Sequence, residues 1–333
     1  MNSTDISTNP KHRLTPVPKP KIFIIFADLD GTFTPMDIEG KLDFVNCVKE
    51  INAETDVAVK FVPISGRPPG YVLRVMHDTR DICAAAGVDD VCDYGAAEQG
   101  AVLVDGKRTY ASEYTGYRSN KVLKSKIAEI LNRSEYREIV ADEPDKLYTC
   151  SIHIKSEALA TMSVIQAQAI YRSLRKEILS QITLQVDITM SHNSLEVMCA
   201  EISKPKAMDI LLWRYIRQGY DVVGILFAGD AENDRHAIDY VSKLAEIPGG
   251  ITAHVFEPSN AQAVVSSEVV EDWKFRNKAA STNRIQKGTE RLFRGVTELI
   301  RNSLRHKTLV GPGISLSHSK DDMYMYCCSH CGK

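Results

Sequence analysis

Residues 22–31 read Ile22-Phe23-Ile24-Ile25-Phe26-Ala27-Asp28-Leu29-Asp30-Gly31. The apolar run up to Ala27 does not alternate with polar residues, as a half-exposed strand would. It is rich in β-branched and aromatic side chains and reads as a strand covered on both faces, as in the middle of a parallel sheet. The run stops at two carboxylates spaced two apart, and Gly31 then permits a tight turn. A buried strand that delivers acids at its carboxyl end sets the reading of everything around it.

A helical stretch near 42–51 leads to a second apolar run, Ala58–Ile64, which ends in Ser65-Gly66-Arg67-Pro68. A helix around 71–79, a short segment at 90–94 and the Gly-punctuated GAAEQGAVLVDGKR follow, the latter reading as a strand and then a hairpin. Much later, Val222-Val223-Gly224-Ile225-Leu226-Phe227-Ala228 repeats the first pattern and ends in Gly229-Asp230-Ala231-Glu232-Asn233-Asp234. Residues 251–256 supply a further strand. Apolar strands alternating with helices predict an α/β fold with a doubly wound, Rossmann-like parallel sheet. Such sheets bind ligands beyond the carboxyl ends of their strands, so Asp28, Asp30, Ser65 and Asp230 are expected on one rim.

The texture changes between 109 and 190. Two helical stretches, 120–132 and 158–180, accompany two alternating segments, 148–154 and 182–189, as an inserted α/β module would. The expected division is therefore a flexible arm at 1–20, a core from 21–108 and 191–270, an inserted α/β module at 109–190, and a C-terminal helix and flexible tail at 271–333. Ile285, Leu292, Phe293, Val296, Leu299, Ile300 and Leu304 fall on one face of that last helix.

The composition narrows the class. The 333 residues are 44% hydrophobic and 25% charged, ordinary globular usage that excludes a disordered or fibrous chain. A formal charge of −2 offers no general attraction for nucleic acid. No stretch reaches the roughly 18 apolar residues of a membrane span, and the polar opening lacks the apolar centre of a secretory signal. A cytoplasmic location is the expectation, with no nucleic acid or membrane as partner and an oligomeric state the sequence does not set. The eight cysteines are scattered or crowded into the tail, unlike a disulfide framework, and are expected as free thiols.

Each motif has an ordinary alternative. Asp-Leu-Asp-Gly can be a plain turn, Ser-Gly-Arg-Pro-Pro a proline-fixed loop, and the acids of 230–234 a helix cap. Their order, each following an apolar strand, is more specific than any one of them. In this order they resemble the haloacid dehalogenase superfamily of phosphotransferases. FADLDGT is similar to its first motif, Ser65 to its second and GDAEND to its fourth. The third is a lysine before a helix, for which ISKPKAMDIL supplies Lys204, with Lys206 as a near competitor; Pro205 stands where relatives commonly have glycine. An insert between the second and third motifs resembles the type IIB group with α/β caps, which includes sucrose-phosphate, trehalose-phosphate and mannosyl-phosphoglycerate phosphatases and Cof-like enzymes.

The resemblance implies a Mg²⁺-dependent phosphatase acting on a small phosphorylated sugar. It implies Asp28 as nucleophile and Asp30 as general acid and base. Thr32, Ser65 and Lys204 would bind phosphate. Asp28, Asp30 (through its carbonyl) and Asp230 would hold the metal, with Asn233 and Asp234 supporting them or orienting Lys204. Arg67 reads as a substrate contact or an exposed salt-bridging residue, and His153, Lys155 and His192 as polar cap groups without an assigned role. The alternatives are a phosphomutase or other phosphotransferase on the same core, and a non-catalytic binding protein. The latter would use the basic stretch 271–307, where ten Lys/Arg face four Asp/Glu. That stretch reads more simply as a solvated helix face. The tail Cys327-Cys328-Ser329-His330-Cys331 lacks a second ligand pair at zinc-finger spacing and reads as a flexible terminus.

Overall fold

The computed structural model describes residues 18–30, 32–33, 38–106, 109–111, 117–133, 135–190, 194–229, 234–245 and 252–256. The expectations for 271–333, including the late helix, the basic stretch and the cysteine tail, lie outside these residues, as does nearly all of the N-terminal arm.

Strand β1 (Lys21–Ala27) leads to helix α1 (Ile38–Glu54), strand β2 (Val57–Pro63) and helix α2 (Pro69–Ala85). Three short strands, β3 (Gly95–Ala97), β4 (Val102–Val104) and β5 (Thr109–Ala111), form an antiparallel sheet. The chain continues through α3 (Tyr117–Leu131), β6 (Val140–Asp142), β7 (Cys150–Ile154), α4 (Ser156–Leu159), α5 (Val164–Gln181), β8 (Val186–Met190) and β9 (Leu195–Cys199). It ends with α6 (Lys204–Arg217), β10 (Asp221–Ala228), α7 (Arg235–Ala245) and β11 (Thr252–Phe256).

The main sheet has the order β11-β10-β1-β2, parallel throughout. The burial of β1 explains its unbroken apolar sequence. Phe23, Ile25 and Ala27 pack on one face with Phe44, Val48 and Ile51 of α1 and Val72 and Met76 of α2. Ile22, Ile24 and Phe26 pack on the other with Met208, Leu211 and Tyr215 of α6 and Ile238 and Val241 of α7. Helices thus cover both faces, and the fold is the doubly wound α/β sheet that the sequence predicts. Lys60 is the exception within β2: its ammonium is buried, but it bonds the Asp90 carbonyl, pairs with Asp93 Oδ2 at 2.7 Å and lies over the Tyr220 ring. The 90–94 segment supplies those acceptors without forming a strand.

The second four-stranded sheet is antiparallel, with the order β6-β7-β9-β8. Two features differ from the sequence reading. The helix expected over 158–180 is two helices, because Ser163 starts α5 with a capping box: its hydroxyl accepts from the Gln166 N–H and the Gln166 side chain accepts from the Ser163 N–H. The core segment expected from 191 opens instead with β9, which lies between β7 and β8 in the second sheet. Its five residues are all buried and do not alternate, so periodicity did not mark it as part of that sheet. At the other edge, β5 pairs with β4 outside the second sheet, although 109 was the expected start of the cap.

Candidate active site

The register of the main sheet brings three chain exits side by side. Ala27 is level with Pro63 on one side and Ala228 on the other. The next residues continue the ladder, with the Asp28 N–H donating to the Ala228 carbonyl and the Ile64 N–H to the Ala27 carbonyl, each at 2.8 Å. Asp28, Ser65 and Gly229 therefore leave the sheet together at its carboxyl rim.

Lys204 reaches this rim from the first turn of α6. Ser203 caps that helix by accepting the Lys206 N–H, and Pro205 sits in the first turn, where an N–H has no helical partner to lose. The proline following the lysine thus costs the helix nothing. The Lys204 ammonium donates to Asp28 Oδ1 at 2.7 Å and also to Asp234 Oδ1. All three residues are buried, at 4% exposure or less. Burial by itself would lower the pKa of Lys204, but the Asp234 and Asp28 carboxylates outweigh it and hold the ammonium above its ordinary value. Among the described residues Lys206 has no ion-pair partner, and its backbone N–H serves the Ser203 helix cap. The lysine that the structure joins to Asp28 is Lys204.

Asp234 stands immediately before α7, where a carboxylate is favoured by the helix dipole. Its place depends on Gly229, since a Cβ there would lie 2.6 Å from Asp234 Oδ2. Ser65 is fully buried, and its hydroxyl accepts the Arg67 N–H at 3.2 Å. Thr32 is buried in a turn closed by its own N–H and that of Phe33 on the Leu29 carbonyl. Asp30 stands apart from the Lys204 cluster and is held by Arg67 through two bonds, Nε to Oδ2 at 2.7 Å and Nη2 to Oδ1 at 2.9 Å. Arg67 lies 5.4 Å from the Tyr71 ring centroid, and the Asp30 contact holds its guanidinium more firmly protonated than usual. Asp230 and Asn233 lie outside the described residues.

The donors at this rim are carboxylate and carbonyl oxygens, the set that a hard divalent cation such as Mg²⁺ takes. Among the described residues no group of three or more His, Cys, Asp or Glu closes on one metal position, and Asp230 is not among them.

Two polar arrangements escaped the sequence reading. In the second sheet, Lys146 and Glu196 form a buried pair at 2.9 Å, and Glu196 also accepts from the Ser151 and Ser194 hydroxyls. His153 joins its edge, 3.1 Å from Ser151 Oγ, whereas Lys155 points to the Arg137 carbonyl; His192 lies outside the described residues. The signal was a glutamate inside the apolar run Leu195–Cys199. The other arrangement is centred on Glu98, a lone acid in GAAEQGAVLV, which is fully buried.

A family model described as sucrose-6F-phosphate phosphohydrolase matches residues 21–245. No curated protein matches the chain by sequence. Among solved structures, the C-terminal domain of C. albicans trehalose-6-phosphate phosphatase is similar at 12% identity and a TM-score of 0.50, covering 84% of this chain and 94% of that one. The C-terminal domain of a Candida albicans trehalose synthase regulatory protein is similar at 14% identity and a TM-score of 0.49, covering 82% and 94%. The Synechocystis sucrose-phosphatase, solved with sucrose and phosphate, is similar at 13% identity and a TM-score of 0.46, covering 83% and 99%. The first of these likenesses is one of fold and agrees with the doubly wound sheet described above.

Proposed function

This chain belongs to the sucrose-6F-phosphate phosphohydrolase family of haloacid dehalogenase-type phosphatases, and from that premise we propose that it releases phosphate from a phosphorylated sugar through an aspartyl-phosphate on Asp28, with Mg²⁺ as cofactor. The observation that carries the reading is the buried Asp28–Lys204–Asp234 contact at the carboxyl rim of the sheet.

Two carboxylates and one ammonium leave that cluster with a net negative charge, so a phosphate dianion brought beside it is repelled unless a further cation is present. The side chains of Asp28 and Asp230 and the Asp30 carbonyl would hold Mg²⁺, which when bound offsets the charge between nucleophile and phosphate. A carboxylate oxygen of Asp28 attacks phosphorus as the bond to the sugar oxygen breaks, and Asp30 gives that oxygen a proton. Asp30 then takes a proton from the water that attacks the aspartyl-phosphate, releasing inorganic phosphate and restoring the Asp28 carboxylate. Lys204, held protonated by its two partners, orients Asp28 and offsets charge on the transferring group. Thr32 and Ser65 hydrogen-bond the phosphate oxygens, so positioning and electrostatics carry most of the rate. The segment from α3 to β9 acts as a cap that shuts water out of the closed site.

Purified protein should release phosphate from one or more of sucrose 6F-phosphate, trehalose 6-phosphate and hexose 6-phosphates in the presence of Mg²⁺. EDTA and the Asp28→Asn substitution should each abolish release. Full activity in Asp28→Asn, or without a divalent cation, would refute the mechanism.

A further inference from the structure

Glu98 occupies an unusual position. It lies with Gln99 and Gly100 in the left-handed region, at φ 50°, 59° and 100°, where two of the three bear side chains that disfavour it. A backbone conformation of this kind persists only when its surroundings over-determine it, and here they do. The Glu98 N–H donates to the Arg67 carbonyl at 3.0 Å and the Gln99 N–H to the Ser65 carbonyl at 2.9 Å, while the Ser65 N–H donates to the Ala96 carbonyl at 2.9 Å. Gly100 passes so close to α6 that a Cβ there would sit 2.6 Å from the carbonyl of Ser203, the residue before Lys204. The turn is wedged between the strand end that carries Ser65 and the helix start that carries Lys204.

From this turn the Glu98 side chain reaches into the loop before β7. Its Oε1 accepts the Leu147 N–H at 2.6 Å, and its Oε2 accepts the Tyr148 N–H at 2.7 Å, the Thr149 N–H at 2.9 Å and the Thr149 hydroxyl at 3.2 Å. Among the described residues Glu98 has no ion-pair partner, and its charge is met by these neutral donors alone. On the far side of the same loop, the Lys124 ammonium donates to the Lys146 and Thr149 carbonyls at 2.6 and 3.1 Å. Lys146 in turn holds Glu196 of β9. One carboxylate therefore connects the Ser65 and Lys204 elements of the core to the loop that bears the buried Lys146.

We infer that Glu98 is a positioning residue that fixes the 146–149 loop, and with it the second sheet, in register with the phosphate end of the site. The inference rests on the phosphatase reading only for its consequence in catalysis: a cap held in register matters for a substrate large enough to touch it and little for one that is not. Glu98→Gln keeps the shape but replaces one acceptor oxygen with an amide that faces N–H donors.

Two readouts test this. By hydrogen exchange, the Leu147, Tyr148 and Thr149 amides of Glu98→Gln should exchange about ten-fold faster, with β1 amides unchanged. In kinetics with Mg²⁺, kcat/KM for the best sugar phosphate should fall about ten-fold, mainly through KM, with p-nitrophenyl phosphate changed less than about two-fold. Glu98→Asp, which keeps the charge on a shorter arm, should lie between the two. Unchanged exchange at 147–149, or an equal loss on both substrates, would overturn the inference. If Glu98→Gln does not fold, Thr149→Val, which deletes one of the four donors, carries both tests with an expected change of about three-fold, and no change would overturn it. Wild-type protein inactive on every sugar phosphate would defeat the phosphatase reading and leave the exchange result to decide the tether.

Discussion

Arg67 holds both carboxylate oxygens of Asp30, and the two side chains are each nearly half exposed, at 46% and 45%. The arginine that follows the second motif is thus a salt-bridging residue, but its partner is the proposed general acid. With both oxygens held by one planar guanidinium, the Asp30 carboxyl is fixed in place at the rim although the pair is partly exposed.

Arg67→Ala should therefore affect rate rather than stability. An exposed pair of this kind is worth about 0–1 kcal/mol, so the melting temperature should stay within a few degrees. The loss of a fixed Asp30 should lower kcat by roughly ten- to a hundred-fold, a part of the usual general acid–base contribution. Arg67→Lys should not restore the rate, because an ammonium cannot present two parallel donors. Thermal denaturation beside steady-state kinetics on both variants checks the pair.

Lys204→Met leaves Asp28 and Asp234 buried without their shared cation. Breaking a buried pair on one side costs about 3–5 kcal/mol, measurable by urea denaturation at neutral pH, and phosphate release should vanish. Lys204 has a folded-state pKa above its unfolded one, so the stability it adds is complete below the unfolded value of about 10.4 and is lost as pH rises through the higher folded value. The wild-type urea midpoint should accordingly show no loss from this group until about pH 10. A loss assigned to Lys204 and already complete by about pH 9 would contradict the charged assignment.

Gly229→Ala places a methyl 2.6 Å from Asp234 Oδ2 and 2.7 Å from its Cγ. Asp234 is fully buried and has no solvent into which to retreat, so overpacking should cost about 1–3 kcal/mol and pull its carboxylate from Lys204. Gly70→Ala is the matched control. Nothing lies within 4 Å of its added methyl, and this change at the start of α2 should stabilise by about 0.4–1 kcal/mol.

In the second sheet, Lys146→Met should cost about 3–5 kcal/mol by stranding the Glu196 carboxylate. Adding Glu196→Gln should recover at least half of that loss, since the amide oxygen still accepts from Ser151 and Ser194 and no buried charge remains unpaired. Urea denaturation of both single variants and the double variant gives the coupling directly.

What could be read from the sequence follows from what is local. β1 and β10 are apolar from their second residue onward, and β2 is broken only by the paired Lys60, because both faces of these strands are covered, and their termini carry the motif residues, so sheet type and rim follow together. The choice of Lys204 over Lys206 depends on which one the first turn of α6 aims at Asp28, a matter of helix phase that either spacing allowed. The partner of Arg67 was hidden because thirty-seven positions separate it from Asp30. β9 was hidden because a strand buried along its whole length looks the same in either sheet. Glu98 was least visible, since nothing in the residue itself announces a left-handed backbone; only Gly100 beside a lone acid in an apolar stretch hinted at it.

The pairing of β1 with β10 joins Lys21 to Asp221, two hundred positions apart. At about 5–20 residues per second of synthesis, β1 waits at least ten seconds or so for that neighbour. The second sheet pairs over much shorter separations, at most Cys150 with Val197, and all of its strands emerge before β10 does. On the ribosome, the nucleophile strand would thus spend its first moments with β2 on one edge and the other edge open. The part of the chain expected to discriminate among substrates can be assembled before the part that performs the chemistry. A nascent chain stalled just as Cys199 clears the exit tunnel should already hold the second sheet, while Lys204 and the residues that follow it are still inside the tunnel.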